Sequence, residues 1–226
     1  MTEIVPIAIW SDVMCPWCII GYRNLQQGLA MLEGEIEAQV SWLPFELNPD
    51  MPPQGEESRA HIARKYGRTG EQAKQASDMM AERARAAGFP FDYTGEGEAP
   101  PSMLWNTFDA HKLLRWALAT EGPEAQTRLK LALFAAHFQQ RRRIGERDVL
   151  LDVAAEQGFD REAVAAALDD ERLAQEVRAE ERHAWDMNVT GVPAMVIDGK
   201  FLVPGAQEPE TYANVLRRIV ERRNDG

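Results

Sequence analysis

The chain has 226 residues, and its 36 Asp and Glu against 25 Lys and Arg leave a formal net charge of −11. That balance argues against nucleic acid, whose binding depends on neutralising phosphates with Lys and Arg. No apolar run approaches the ~20 residues needed to cross a bilayer. Met1-Thr2-Glu3 shows neither the basic region nor the apolar core of a secretory leader, so the expected location is cytoplasmic.

The apolar run Ile4-Val5-Pro6-Ile7-Ala8-Ile9-Trp10 reads as a buried strand. Ser11-Asp12-Val13-Met14-Cys15-Pro16-Trp17-Cys18 follows and holds the only two cysteines of the chain. Cys18, Tyr22, Leu25, Leu29 and Leu32 then recur at helical spacing, with Gly34 as a C-cap. Ile36, Ala38, Val40 and Trp42 alternate as a half-buried strand whose phase slips at Leu43-Pro44, as at a bulge or a strand end. Residues 4–47 therefore read as one βαβ unit.

Asn48 to Gly55 is a break. Beyond it the chain is rich in Ala, Glu, Arg, Leu and Gln, with helices expected near 58–66, 71–87, 103–120, 124–142, 147–157, 161–168 and 170–186. Phe89–Pro101 reads as a loop. Ala194–Ile197, Asp198-Gly199 and Lys200–Val203 form a β-hairpin with a tight-turn dipeptide. A last helix carries Tyr212, Val215, Leu216, Ile219 and Val220 on one face. The flanking βαβ and ββα pieces are each too small for a core of their own. Together they predict an α/β fold: a four-stranded mixed sheet with helices on its faces, interrupted by a large all-helical insertion. The domain boundaries follow as 1–55 plus 187–226 for the sheet domain and 56–186 for the helical one.

A C-x-x-C motif that opens a helix inside a βαβ unit reads as a thioredoxin-like redox motif. Pro16 suits the first helical position, where its missing N–H is harmless. Cys15 then sits near the N-cap, where unpaired backbone N–H groups and the helix dipole favour the thiolate. Two other readings stand beside this one. A zinc half-site lacks a second C-x-x-C, and His61, His111, His137 and His183 have no ligand spacing, so no metal is expected. A pair of buried core thiols would not need Pro16 and a helix N-terminus. Far along the chain, Thr190-Gly191-Val192-Pro193 leads into the hairpin. In the thioredoxin fold a cis-proline before a strand faces the dithiol, and the backbone of the preceding residue can pair with an extended substrate.

With these residues in view, the sequence resembles the DsbA-like thioredoxin-fold oxidoreductase family and, within it, the FrnE-like branch. The match is carried by Ser11–Cys18 with Gly21, Asn106–His111, Val189–Pro193, Ile197-Asp198-Gly199 and Gly205-Ala206-Gln207. The resemblance implies dithiol–disulfide exchange in which Cys15 attacks and Cys18 resolves. Trp17, Val192, Pro193 and His111 would then lie on the substrate side. The redox-active Cys15–Cys18 pair would serve in place of a bound cofactor, with glutathione as a co-substrate. Partners are then a disulfide- or thiol-containing protein or glutathione, with neither nucleic acid nor membrane, and the chain a monomer or homodimer. The alternative is a glutathione-dependent isomerase or transferase of the 2-hydroxychromene-2-carboxylate isomerase or kappa-class type, acting on a small aromatic or polyketide substrate. Those relatives place serine at the first cysteine, and this chain keeps both. A holdase using the helical block is a third reading.

Several residues read two ways. Trp17 either covers the dithiol or is an exposed aromatic. Asp12 either opposes the Cys15 thiolate or caps the helix turn, and capping is the expectation. Thr107 and His111, one turn apart, either line the cleft, with His111 moving protons, or form a structural polar pair. Trp105, Phe108, Trp116, Phe134 and Phe138 read as core. Arg141-Arg142-Arg143 reads as a solvated face late in a helix.

Overall fold

The computed structural model describes residues 2–67 and 69–224. Strand β1 (Glu3–Ser11) leads through the dithiol segment into helix α1 (Pro16–Ala30), and β2 (Ile36–Pro44) returns parallel to β1. The intervening block contains β3 (Glu56–Glu57), α2 (Ser58–Tyr66), α3 (Gly70–Ala86), β4 (Met103–Leu104), α4 (Phe108–Glu121), α5 (Pro123–Phe138), α6 (Arg147–Glu156), α7 (Arg161–Asp169) and α8 (Glu171–Asp186). The hairpin β5 (Ala194–Ile197) and β6 (Phe201–Pro204) and the helix α9 (Pro209–Asn224) complete the chain. The main sheet has the order β2-β1-β5-β6, parallel between β1 and β2 and antiparallel elsewhere. Its two flanking pieces are therefore joined through β1 and β5, with Ile7 opposite Ile197 and Ile9 opposite Met195.

The alternation of β1 sorts its side chains onto two faces. Val5, Ile7 and Ile9 join Met195, Ile197, Leu25, Tyr212, Leu216 and Ile219 in a core between the sheet and helices α1 and α9. Gly28 allows α1 and α9 to approach closely, since a Cβ there would stand 2.6 Å from the Pro209 carbonyl oxygen. On the other face Trp10, Ala194 and Val196 meet Phe45 and, from α8, Ala184. The hairpin turns on Asp198 (φ 57°) and Gly199 (φ 65°), two left-handed residues as a two-residue turn between twisted strands requires.

Helix α5 packs against the outer edge of β2. The Gln126 amide accepts the Trp42 N–H and donates to the Trp42 carbonyl, both at 2.8 Å, so a side chain completes the ladder where another strand would pair. Phe134 and Phe138 of α5 join the same core as the strands. A second core between α4, α5, α6 and α7 takes in Val13 and Met14 from the dithiol segment. The two cysteines thus sit where the sheet core meets the helical core.

Two helix boundaries depart from the periodicity. The helix expected over 103–120 begins at Phe108. The Trp105 N–H goes to Met14 Sδ at 2.9 Å, the Phe108 N–H goes to the Asn106 side chain at 3.0 Å, and Met103–Leu104 pairs with β3. These partners take the N–H groups that a helix would have used. The helix expected over 124–142 ends at Phe138, because Arg141 turns left-handed (φ 56°) and the Arg142 N–H folds back onto the Ala136 carbonyl at 2.8 Å. The arginine run therefore lies beyond the helix rather than on its last turns.

Candidate active site

Cys15 is the N-cap residue of α1 (φ −83°, ψ 112°), with Pro16 at the first helical position. The first turn of α1 carries no acidic side chain, and no side chain caps it. The helix dipole at that end is left to favour negative charge near Cys15. Cys15 and Cys18 lie 3.3 Å apart, both as free cysteines. Cys15 is 3 % exposed and Cys18 is wholly buried, so Cys15 is the rim sulfur of the pair.

The Val192–Pro193 peptide is cis. The Cys15 Sγ–H donates to the Val192 carbonyl at 3.5 Å, across 177 positions of sequence. Gly21 makes this approach feasible, since a Cβ there would lie 3.2 Å from the Pro193 ring and 3.3 Å from Ala206. Val192 and Pro193 are thus placed beside the dithiol. Trp17 is half-buried, turned toward α3, where it packs with Ile20, Met80, Ala84, Ala87 and Phe91.

Beneath the sulfurs is a closed set of polar side chains. Asp12 is fully buried, and its carboxylate accepts the Met14 N–H at 3.2 Å and the Leu47 N–H at 2.8 Å. Capping of the helix was the expectation for Asp12, and the structure corrects it. Asp12 pins its own turn and the chain leaving β2, while Cys15 holds the N-cap position. Burial raises the Asp12 pKa against the pull of the Leu47 N–H and Lys130. His111 Nε2 stands 3.8 Å from Asp12 Oδ1, and burial followed by the Lys130 charge holds its pKa well below the usual imidazole range. Thr107 is buried beside the same carboxylate.

Lys130, from α5, was not singled out by the sequence reading. It is fully buried, with Nζ 3.4 Å from the Ser11 carbonyl, 5.3 Å from the Trp42 ring centroid and 5.1 Å from that of Phe134. Burial lowers its pKa to about 8, against the opposing pull of Cys18, Asp12 and Cys15. A signal for it exists in Leu129-Lys130-Leu131-Ala132-Leu133-Phe134, where a lone lysine interrupts an apolar run. Such a residue in a helix covered on most sides is a buried charge, and a buried charge requires a partner.

The dithiol titrates as a pair. At Cys15 the hydrogen bond to Cys18, then burial and the Cys18 charge, push the thiol well up. At Cys18 burial pushes up, but the Cys15 hydrogen bond, the Ser11 hydroxyl and Lys130 together bring it below an ordinary thiol. One proton therefore leaves readily and the second reluctantly, because a single thiolate is held by the other thiol and by Lys130. Among the described residues no group of three or more His, Cys, Asp or Glu is placed to hold a metal, and no helix is long and apolar enough to cross a membrane.

Comparison with known proteins matches residues 6–217 to the family model of the DSBA-like thioredoxin domain. The crystal structure of a probable DsbA oxidoreductase from Streptomyces coelicolor is similar with a TM-score of 0.83 at 31 % identity, covering 95 % of this chain and 89 % of that one. An uncharacterised Bacillus subtilis protein, YwbO, is 26 % identical over 94 % of this chain and 96 % of its own. The cytosolic disulfide reductase DsbM of Pseudomonas aeruginosa shares the fold, with a TM-score of 0.63 at 20 % identity, over 96 % of this chain and 98 % of that one. Its structure with GSH gives a TM-score of 0.57 at 19 % identity, over 96 % and 99 %.

Proposed function

The chain belongs to the DSBA-like thioredoxin domain family, and on that footing we propose that it is a cytoplasmic thiol–disulfide oxidoreductase working through Cys15 and Cys18. The observation that carries the reading is the placement of Cys15: N-cap of α1, 3.3 Å from a buried Cys18, with its sulfur on the Val192 carbonyl. The Cys15 proton passes to the Cys18 sulfur, leaving Cys15 as the thiolate when a disulfide R–S–S–R′ arrives. Its sulfur bonds to one substrate sulfur, the S–S bond breaks, and R′S⁻ leaves. Cys18 then gives up its proton and attacks Cys15. A Cys15–Cys18 disulfide forms, RS⁻ leaves, and two electrons have passed from the dithiol to the substrate. The reverse sequence oxidises a substrate dithiol. Val192 and Pro193 would dock the substrate backbone beside Cys15 as an added strand. His111, buried beside Asp12 with its Nε2 unpaired, takes no part in these steps.

Exchange of Cys18 for Ser tests the reading. It should leave Cys15 joined to a disulfide substrate as a lasting mixed adduct, while Cys15→Ser abolishes insulin reduction. A Cys18→Ser protein that forms no adduct, together with an unaltered protein inactive on insulin and on glutathione disulfide, would sink it. A second reading, with glutathione as co-substrate, draws support from the small exposure of Cys15, which a tripeptide thiol reaches more readily than a folded protein does. Saturation of the rate with glutathione, retained on protein disulfides, separates the two.

A further inference from the structure

Beyond the dithiol, one arginine stands out by what it lacks. Arg142 is paired with Glu156 at 2.9 Å and Arg143 with Glu146 at 3.1 Å. Arg141, between them, has no carboxylate partner among the described residues, and its Nε is buried without a hydrogen bond. Its backbone also occupies the left-handed region, φ 56°, three residues past the end of α5. A non-glycine residue there carries a conformational cost that the rest of the structure must offset, and such outliers concentrate at sites of function. Burial further disfavours its charge, lowering its pKa.

Arg141 lines a cavity of about 420 Å³ whose other walls include Pro100, Pro101, Met103, Trp105 and Arg143. That is within the range of small-molecule sites, roughly 300–1,000 Å³. The Trp105 wall is fixed from two sides: its backbone N–H is held by Met14 Sδ, one residue before Cys15, and Gly145 lies so close that a Cβ there would be 3.1 Å from the Trp105 Cβ. Pro100, Pro101, Met103 and Trp105 supply flat apolar wall, Gln54, Arg143 and Glu146 line the rest, and the Arg141 guanidinium, without a carboxylate partner, is a planar fork whose geometry matches a carboxylate in bidentate fashion. We propose that this cavity is a binding site for a small molecule bearing a carboxylate on a flat apolar body, with Arg141 holding the carboxylate and Trp105, Met103 and the two prolines covering the apolar part.

Glu146 also lines the cavity and neutralises Arg143. Its charge opposes an incoming carboxylate, so the site admits a single anionic group rather than a polyanion.

The test uses benzoate and its uncharged counterpart benzamide, titrated into the intact protein while the Trp105 indole N–H is followed by NMR. Benzoate should shift that signal saturably and benzamide should bind at least tenfold more weakly. Arg141→Gln should weaken benzoate at least tenfold and leave benzamide unchanged. Glu146→Gln should tighten benzoate severalfold, a gain that damage to the fold would not produce. Equal binding of the two probes, an Arg141→Gln protein with full benzoate affinity, or benzoate shifts confined to signals away from Trp105 would each overturn the assignment. None of these measurements involves thiol chemistry, so failure of the oxidoreductase reading would leave them standing.

Discussion

Replacing Lys130 by Met isolates what the buried ammonium does for the dithiol. Lys130 titrates at about 8 rather than 10.5, with burial the largest cause. Below about 8 the folded and unfolded chains both hold this proton, and the folded state carries the cost of the buried charge. Between about 8 and 10.5 the folded chain releases the proton while the unfolded chain keeps it, so stability from this group rises with pH across that window. At about 1.4 kcal/mol per pKa unit, the gap corresponds to roughly 3 kcal/mol of destabilisation at neutral pH. The Met variant removes that cost. It also forfeits the cation–π contacts to Trp42 and Phe134, worth about 1 kcal/mol each, and the positive charge facing Asp12. The two sides nearly cancel, so stability at neutral pH should stay within about 2 kcal/mol of the unaltered protein, and the rise at alkaline pH should vanish. The thiols have no such compensation. Losing the Lys130 cation, whose charge favours the Cys18 thiolate, should raise the first pKa of the pair. Denaturant unfolding as a function of pH, set beside ultraviolet titration of the thiolate in the reduced protein, reads both effects. An unchanged thiolate titration would refute the assignment of Lys130 to the dithiol. So would a loss above about 3 kcal/mol with the alkaline rise intact, which would mark Lys130 as a packing residue.

Other consequences are as direct. Gln126→Leu leaves the Trp42 N–H and carbonyl buried without partners and should cost about 2–4 kcal/mol in urea unfolding, with exchange occurring at an unchanged rate in the protein that remains folded. Gly28→Ala forces a Cβ to within 2.6 Å of the Pro209 carbonyl oxygen, so α1 and α9 must separate, lowering stability by about 1–3 kcal/mol. Glu46, whose side chain is 2 % exposed, is pushed up to about 7 from 4.5, by burial first and then by the Glu181 charge, against the pull of Arg178. The folded chain holds the Glu46 proton between 4.5 and about 7 while the unfolded chain has lost it, so stability from this group falls as pH rises through that window. Thermal melts should show the fall, and Glu46→Gln should flatten it. A flat profile in the unaltered protein would remove Glu46 from the account.

Much of the fold was legible because it rests on local regularities. The alternation in β1, the stripe from Cys18 to Leu32 and the Asp198-Gly199 turn each follow from backbone geometry that neighbouring residues state directly. Cys15-Pro16-Trp17-Cys18 was legible for the same reason, since a helix start and a pair of thiols are both local facts. The helix beginning at Phe108 was less so, because the groups that delay it, Met14 and the Asn106 side chain with its bond to the Pro49 carbonyl, lie partly in other segments.

The chemistry on offer is written in the residues themselves: two thiols at a helix N-terminus, in a βαβ unit completed by a distant hairpin. The electrostatic setting of those thiols belongs to the packing. Lys130 comes from a helix 112 positions beyond Cys18, Asp12 is turned inward by the Leu47 N–H, and Val192 reaches Cys15 across 177 positions. Charge interactions depend on distance and burial, and neither is a property of neighbouring residues along the chain. A lysine in an apolar run says that a charge is buried. The packing of α5 on β2 says which groups it faces.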